Sequence, residues 1–194
     1  MKFIVNTCSG REHFVDRIKD SMPNVIVNFD DFKDPGLFRN TAYLNYRRAW
    51  FVSGDEGSVH MDDDIILCSD FEKKCLEAIA QYPNKVIQFF SMRQKDLTIG
   101  TRLEAGSTFM MQQCYYLPPG YGLGIAEESI RLCMEPKIIK EKYWGPTDFC
   151  VSEFLRKRKE AYVIWIPNLV DHEVAKSRID PRRSSKRQSK TFKF

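Results

Sequence analysis

Short apolar runs alternate with stretches of helical periodicity along most of the chain. Residues 2–6 and 24–28 are apolar and rich in β-branched side chains, which predicts two buried strands. Between them, apolar side chains recur every four positions and predict a helix over residues 11–21. The chain therefore begins with a strand, a helix and a second strand, the order typical of α/β proteins.

The alternation continues after this first unit. The further predicted elements are, in chain order, a helix over 40–52, two half-strands within 59–67, a helix over 70–81, a strand over 85–90, a strand over 107–111, helices over 125–134 and 147–158, and a strand over 162–166. Ser69 and Glu72 predict a capping box at the start of the third helix. Polar and turn-rich sequence through 91–124 predicts loops over a site.

This order of elements predicts an α/β/α sandwich with a mostly parallel central sheet. The length of 194 residues favours one core, and no internal repeat is present. We place the folded domain at residues 1–177 and a C-terminal tail at 178–194, which we expect to be flexible or ordered by a ligand.

Positive charge is concentrated in that tail. Residues 178–194 contain seven Lys or Arg side chains and one Asp, whereas the whole chain carries a formal charge of +4, so the body is slightly acidic. A basic tail can bind nucleic acid or an anionic lipid surface, or can simply be solvated.

Cysteine usage and hydropathy limit the cellular setting. The six cysteines form no CxxC pair, the N-terminus lacks a secretory pattern, and no apolar run approaches the roughly 20 residues that cross a bilayer. We therefore expect a protein of the reducing cytoplasm, that of a bacterial host if a phage encodes it.

Three consecutive carboxylates carry the clearest chemical signal. Asp62, Asp63 and Asp64 follow the apolar run VHM and precede IIL, so core-forming sequence encloses them. Adjacent carboxylates repel one another when partly buried, and Mg²⁺ or Mn²⁺ would offset that repulsion. Strand alternation would direct Asp62 and Asp64 to one side and Asp63 to the other. The alternative is a solvated acidic turn.

Two segments resemble GT-A glycosyltransferases. The run HMDDDIILCSDFEKKCLEAIAQYPNKVIQFF resembles their metal-binding D-x-D strand with the helix and strand that follow, and PNLVDHEVAKS, after a helix that begins GPTD, resembles the closing part of small bacterial and phage enzymes of this type. The resemblance implies a GT-A fold, a divalent metal and a nucleotide-sugar donor, with a UDP-sugar favoured.

The resemblance also implies roles for individual residues. Asp62 and Asp64 match the D-x-D pair, although Asp63 with Asp64 is an alternative register, and His172 matches a late metal ligand. Asp148 matches the acid that faces the acceptor and acts as a base; a helix-start acid that interacts with the macrodipole is the alternative. The residues that match donor contacts are Thr7, Ser9, Gly10, Arg11, Asp30, Asp31, Arg47, Asp62 and Asp63.

Several functions remain open at this point. For the acceptor we expect either a modified nucleobase in phage DNA or a surface glycan. Glu127 and Glu128 are weaker alternatives to Asp148 as the general base. A metal-dependent phosphohydrolase or nucleotidyltransferase also uses clustered aspartates. A third alternative is a non-catalytic domain that binds nucleotide-sugars. The sequence lacks P-loop, dinucleotide-binding and zincin motifs, which disfavours those chemistries.

Overall fold

A computed structural model describes residues 1–32, 38–134, 147–173 and 187–193. Within these ranges the strands are β1 Lys2–Cys8, β2 Ile26–Asp30, β3 Ser58–Asp62, β4 Ile65–Leu67, β5 Ile87–Gln88, β6 Arg102–Ala105, β7 Cys114–Leu117, β8 Ala161–Ile164 and β9 Val170–His172. The helices are α1 Glu12–Ser21, α2 Phe38–Ser53, α3 Phe71–Gln81, α4 Tyr121–Met134 and α5 Thr147–Arg158, and short 3-10 turns cover Gln94–Leu97 and Gly106–Thr108.

Seven of the strands form one central sheet in the order β2-β1-β3-β7-β5-β8-β6. Strands β1, β2 and β3 are parallel; β7 is antiparallel to β3 and to β5; β8 is parallel to β5, and β6 is antiparallel to β8. Five of the seven strands therefore run in the same direction, and β7 and β6 run against them. The prediction of a mostly parallel central sheet is confirmed.

Helices cover both faces of this sheet because its strands are apolar on both sides. In β7, Cys114 and Tyr116 pack with α1 and α3, whereas Tyr115 and Leu117 pack with α2, α4 and α5. Successive side chains of a strand point to opposite faces, so one strand contributes to two cores. The result is a three-layer α/β/α arrangement. No helix in the described ranges is both long and apolar enough to cross a bilayer.

A second, two-stranded sheet lies beside the acidic triplet. β4 pairs antiparallel with β9, and Ile65 faces His172 in the register. The Glu173 N–H also donates to the Asp64 carbonyl over 2.8 Å. This pairing brings a residue more than a hundred positions away next to the triplet. β9 has only three residues, and the sequence pattern did not predict it.

The middle of the chain differs from its prediction. The strand expected over 107–111 is replaced by the 3-10 turn Gly106–Thr108, and strands form instead at Arg102–Ala105 and Cys114–Leu117. Gly106 explains part of this difference. A β-carbon at position 106 would lie 2.4 Å from the Glu160 carbonyl oxygen, so the backbone packs tightly there instead of forming a regular strand.

The predicted capping box is also wrong. α3 begins at Phe71, and Asp70, with a left-handed φ of 54°, occupies the N-cap without a side-chain capping bond. Ser69 lies one residue too early to cap the helix; its carbonyl oxygen accepts a hydrogen bond from the Lys74 ammonium over 2.7 Å instead.

His60 is a buried polar residue at the centre of β3. Its Nε2 lies 3.0 Å from both the Ser53 and the Ser58 hydroxyl oxygens, and its ring stacks on Tyr115. Burial lowers the pKa of His60 to about 3, so the imidazole stays neutral in the folded protein. His60 is therefore a structural residue of the core.

We predict that His60 makes folding sensitive to acid. Below pH 6.5 the unfolded chain binds a proton at this imidazole and the folded chain does not, so stability is lost as pH falls toward 3. Comparing urea denaturation of wild type and His60→Gln from pH 8 to 5 should show the difference between the two proteins shifting in favour of the variant by about 2 kcal/mol. His13→Gln, on the exposed side of α1, is the matched control. Parallel pH profiles for wild type and His60→Gln would contradict the prediction.

Candidate functional site

The acidic triplet lies at the carboxyl edge of the parallel strands. Asp62 ends β3 and pairs in register with Asn6 of β1, while Asp63 and Asp64 form the turn into β4. Ligands of open α/β sheets bind at this edge. Because the strand ends at Asp62, its alternation does not extend to Asp64, and each carboxylate finds a different set of partners.

Asp63 is bound to the loop that follows β1. It accepts a hydrogen bond from the Thr7 hydroxyl over 2.7 Å, and Arg11 donates to it through Nε over 2.8 Å and through a terminal nitrogen over 2.6 Å. Gly10, with φ of 78°, provides the left-handed turn that brings Arg11 back over the sheet edge. Burial raises the pKa of Asp63, and Arg11 and Thr7 partly counter this. Asp63 thus anchors the loop.

Asp64 connects this anchor to the second sheet. One of its oxygens lies 2.7 Å from Arg11, and the other lies 3.4 Å from His172 Nε2. Burial alone would lower the pKa of Arg11, but Asp63 and Asp64 raise it above its ordinary value. A single buried guanidinium therefore balances two adjacent carboxylates.

The tautomer of His172 follows from its hydrogen bonds. Nδ1 lies 2.6 Å from the Glu173 carbonyl oxygen, which can only accept, so Nδ1 carries the proton and the Nε2 lone pair faces Asp64 and Arg187. Metal-binding histidines show this same arrangement, with the second ring nitrogen donating to a carbonyl.

Asp62 has a partner on the opposite face of the sheet. The Tyr46 hydroxyl, from α2, donates a hydrogen bond to it. Burial first, and then the charge of Asp64, raises the pKa of Asp62 well above its usual range. Tyr46 also has a raised pKa, caused by burial and by Asp62. Both shifts favour the protonated forms of these two groups.

Asp64 and His172 fit a divalent ion as two of its ligands. Ligands about 2.1 Å from an octahedral ion and at right angles lie roughly 3 Å apart, close to the 3.4 Å between these donors. Asp62 is directed to Tyr46, and no group of three or more His, Cys, Asp or Glu side chains in the described ranges could hold a metal. Mg²⁺ sites commonly use one or two carboxylates and complete the shell with water and substrate phosphate.

The remaining predicted donor contacts lie along the same edge, with one exception. Ser9 and Gly10 are exposed in the loop after β1, and Asp30 ends β2 with its carboxylate accepting from the Phe32 N–H. Asp31 pairs with Arg48 over 2.7 Å. The exception is Arg47, whose side chain points away from this edge toward α4.

Arg47 and Arg48 point in different directions from α2. Arg47 donates to the Ser129 hydroxyl of α4 over 3.0 Å, whereas Arg48 donates to Asn28 in the middle of β2. Successive helical residues are about 100° apart, so only one of the two can face the sheet edge. The structure brings Arg48 to the predicted donor side in place of Arg47.

Asp148 lies half-buried in the first turn of α5. Two residues along the same helix, Cys150 contacts the Tyr43 hydroxyl of α2, and Tyr46, one turn along α2, binds Asp62. The predicted role of Asp148 toward an acceptor stays a prediction.

Part of the basic tail lies against the site. The Ser189 N–H donates to the Asp171 carboxylate over 2.6 Å, Asn168 donates to the Ser189 hydroxyl over 2.7 Å, and Phe192 packs on the core formed with α1 and α3. Residues 178–186 and 194 lie outside the described ranges. The domain boundary at 177 stays a prediction, but residues 187–193 belong structurally with the domain.

Sequence reasoning missed three side chains of this site. Tyr46 lies among apolar residues of its helix, and Arg187 is one of many tail cations. Arg48 follows Arg47, the arginine that the sequence analysis names as a donor contact. The one sequence signal is on α2, where Asn45, Tyr46 and Arg48 can all form hydrogen bonds within about one helical turn. A helix that only packs against a core needs fewer such side chains on one turn.

Comparisons with known proteins give the fold. No protein-family model and no curated protein matches the chain. Among solved structures, A197 from STIV matches with a TM-score of 0.50 and 11% identity over 100% of this chain and 96% of that one. Apo UDP-glucose pyrophosphorylase matches with 0.45 and 8%, over 84% and 72%. A glycosyltransferase involved in glycosylation of the major capsid of PBCV-1 matches with 0.35 and 8%, over 86% and 94%.

The chain shares its fold with A197. That likeness spans the whole chain, but 11% identity says nothing about chemistry. The other two likenesses are weaker still. Function is therefore inferred from the geometry of the site.

Asp63→Asn should destabilise the fold. The change replaces a carboxylate oxygen that accepts from Arg11 or Thr7 with an amide N–H group that can only donate. A buried donor loses its acceptor, which costs about 2 kcal/mol of unfolding free energy. Urea denaturation at pH 7 measures it. Asp31→Asn is the matched control, since it breaks an exposed carboxylate–arginine pair and should have a clearly smaller effect. Equal losses in the two variants would show that Asp63 is no anchor.

Proposed function

We propose that this protein is a divalent-metal-dependent glycosyltransferase that moves a sugar from a nucleotide-sugar, with a UDP-sugar favoured, to a hydroxyl acceptor. One observation carries the proposal: Asp64 and the His172 Nε2 lone pair converge at the carboxyl edge of the parallel strands. A carboxylate and an imidazole at such an edge suit a divalent ion that also binds a diphosphate.

Charge balance supports a cation here. Three carboxylates lie together, and Arg11 compensates one formal charge. The raised pKa values of Asp62 and Asp63, which burial causes first, show that the remaining charge is costly to keep. Mn²⁺ or Mg²⁺ at Asp64 and His172 would remove that cost, and its second charge would then attract a diphosphate.

Different residues of the chain take separate roles in binding the donor. The Thr7–Asp63–Arg11 connection fixes the loop after β1, whose exposed Ser9 and Gly10 lie where donor phosphates would meet backbone amides. We assign to Asp62, which accepts a hydrogen bond from Tyr46, the role of accepting further hydrogen bonds from the donor's hydroxyl groups. When bound, the metal supplies Lewis-acid stabilisation of the departing diphosphate.

The acceptor side rests on Asp148. A half-buried carboxylate at the start of a helix can take the acceptor's proton as its oxygen attacks the anomeric carbon. Glu128 is less suited, because ion pairs with Arg131 and Lys157 lower its pKa. Modified DNA or a glycan is the proposed acceptor class, and the basic tail favours a polyanion in its neighbourhood.

Calorimetry with UDP, GDP, CDP and their sugars tests the donor and the metal together. We expect one nucleotide to bind in the presence of Mn²⁺ and to lose about 100-fold in affinity in Asp64→Ala, because the variant lacks a direct ligand. Glu56→Ala, in the loop before β3, removes an exposed carboxylate paired with Lys2 at the opposite end of that strand and controls for lost charge.

The failures of this experiment are informative. Binding of no nucleotide would contradict the proposal and favour a phosphohydrolase or nucleotidyltransferase. Binding without any hydrolysis of the donor would favour a non-catalytic domain. Binding that ignores Mn²⁺ would remove Asp64 and His172 from the proposed metal site.

Asp148→Asn should separate chemistry from donor binding. We expect transfer to an acceptor, or donor hydrolysis in its absence, to fall about 10²- to 10⁴-fold while nucleotide affinity stays within twofold, because a base acts only on the reacting hydroxyl. Glu127→Gln, an exposed carboxylate on α4, is the control. Unchanged turnover in Asp148→Asn would leave this residue with a helix-capping role.

A further inference from the structure

The tail places a cation on the lone pair that a metal would need. The Arg187 guanidinium donates to His172 Nε2 over 2.9 Å. The same nitrogen is the one that faces Asp64, and the other ring nitrogen is occupied by the Glu173 carbonyl. An imidazole has one lone pair, so Nε2 cannot accept from Arg187 and bind a metal ion at once.

The contact is built into the fold by the residues around it. Ser189 is fixed from two sides, by Asp171 of β9 and by Asn168, which also donates to the Ser91 carbonyl. Phe192 packs on the core and its N–H donates to the Ser189 hydroxyl. These anchors lie within five residues of Arg187 and hold it over the imidazole, so the contact does not depend on the guanidinium alone.

The docked guanidinium is incompletely satisfied. Its Nε is buried and, among the described residues, has no hydrogen-bond acceptor. A buried donor without a partner costs free energy, which weakens the docked state relative to one in which Arg187 reaches water or an anion. The Arg187–His172 hydrogen bond is therefore formed, but the unpaired Nε lowers the free energy needed to displace Arg187 from it.

We propose that residues 187–193 are an internal competitor for the metal site, in which Arg187 occupies His172 until a divalent cation displaces it. This inference rests on the proposed metal role of Asp64 and His172. The docked and metal-bound states then exclude one another. The apparent metal affinity is therefore the intrinsic affinity multiplied by the fraction of chains in which Arg187 is undocked. A ligand that captures the tail would activate the site, since it favours the undocked state.

Binding of Mn²⁺ without any nucleotide tests the competition directly. Titrating full-length wild type, Arg187→Ala and Lys190→Ala, with free Mn²⁺ measured by electron paramagnetic resonance, should give a dissociation constant roughly tenfold lower in Arg187→Ala than in wild type. Lys190 is exposed on the same segment, so Lys190→Ala removes an equal charge and should match wild type.

Hydrogen exchange gives a second readout that does not depend on activity. The amides of Ser189, Thr191 and Phe192 are bonded in the docked tail, so a C-terminal peptide should be protected in metal-free wild type. Saturating Mn²⁺ should speed its exchange in wild type and leave it unchanged in Asp64→Ala.

The outcomes separate this inference from the proposed function. Mn²⁺ binding that is equal in wild type and Arg187→Ala, or weaker in the variant, overturns the competition and leaves the metal site in place. The same holds if Mn²⁺ does not alter exchange of the tail. Absence of Mn²⁺ binding in both proteins overturns the metal site and the competition together.

Discussion

The ion pairs of Arg11 with Asp63 and Asp64 are the interaction on which the rest of the site depends. Three adjacent carboxylates at a half-buried sheet edge would repel one another, and one guanidinium within 2.7 Å of two of them makes the turn stable. The pair also connects the loop after β1 to the turn after β3. The Arg11 contacts therefore fix the shape of the surface that a ligand at this edge would meet. The third carboxylate, Asp62, binds Tyr46 on the opposite face of the sheet.

A short pairing outside the main sheet completes the arrangement. β4 and β9 share only three residue pairs, yet they carry Asp64 and His172 to within 3.4 Å of each other. The large sheet supplies rigidity through its two cores, and the small sheet brings His172 beside Asp64. This division is physically reasonable, because rigid elements position side chains more precisely than loops do.

The tail changes how the charge of the site is to be understood. The body of the chain is slightly acidic and the tail strongly basic, so the two attract each other. Hydrogen bonds hold part of the tail beside the acidic site, where Arg187 donates to His172 and the Ser189 N–H donates to Asp171. The basic tail is therefore both a potential contact for external polyanions and a partner of residues beside the acidic site.

The sequence by itself determined the α/β class, most helices and the location of the acidic site. These follow from local information: apolar period, β-branched runs and three carboxylates between two apolar segments. It did not determine β6, β7 and β9, because short strands are stabilised by neighbours distant in the chain and not by their own residues. For the same reason only the tertiary structure decided that Tyr46 binds Asp62, that Arg48 and not Arg47 faces β2, and that Arg187 contacts His172. Composition marks a side chain as polar or charged, but the partner it meets depends on the packing of the whole chain.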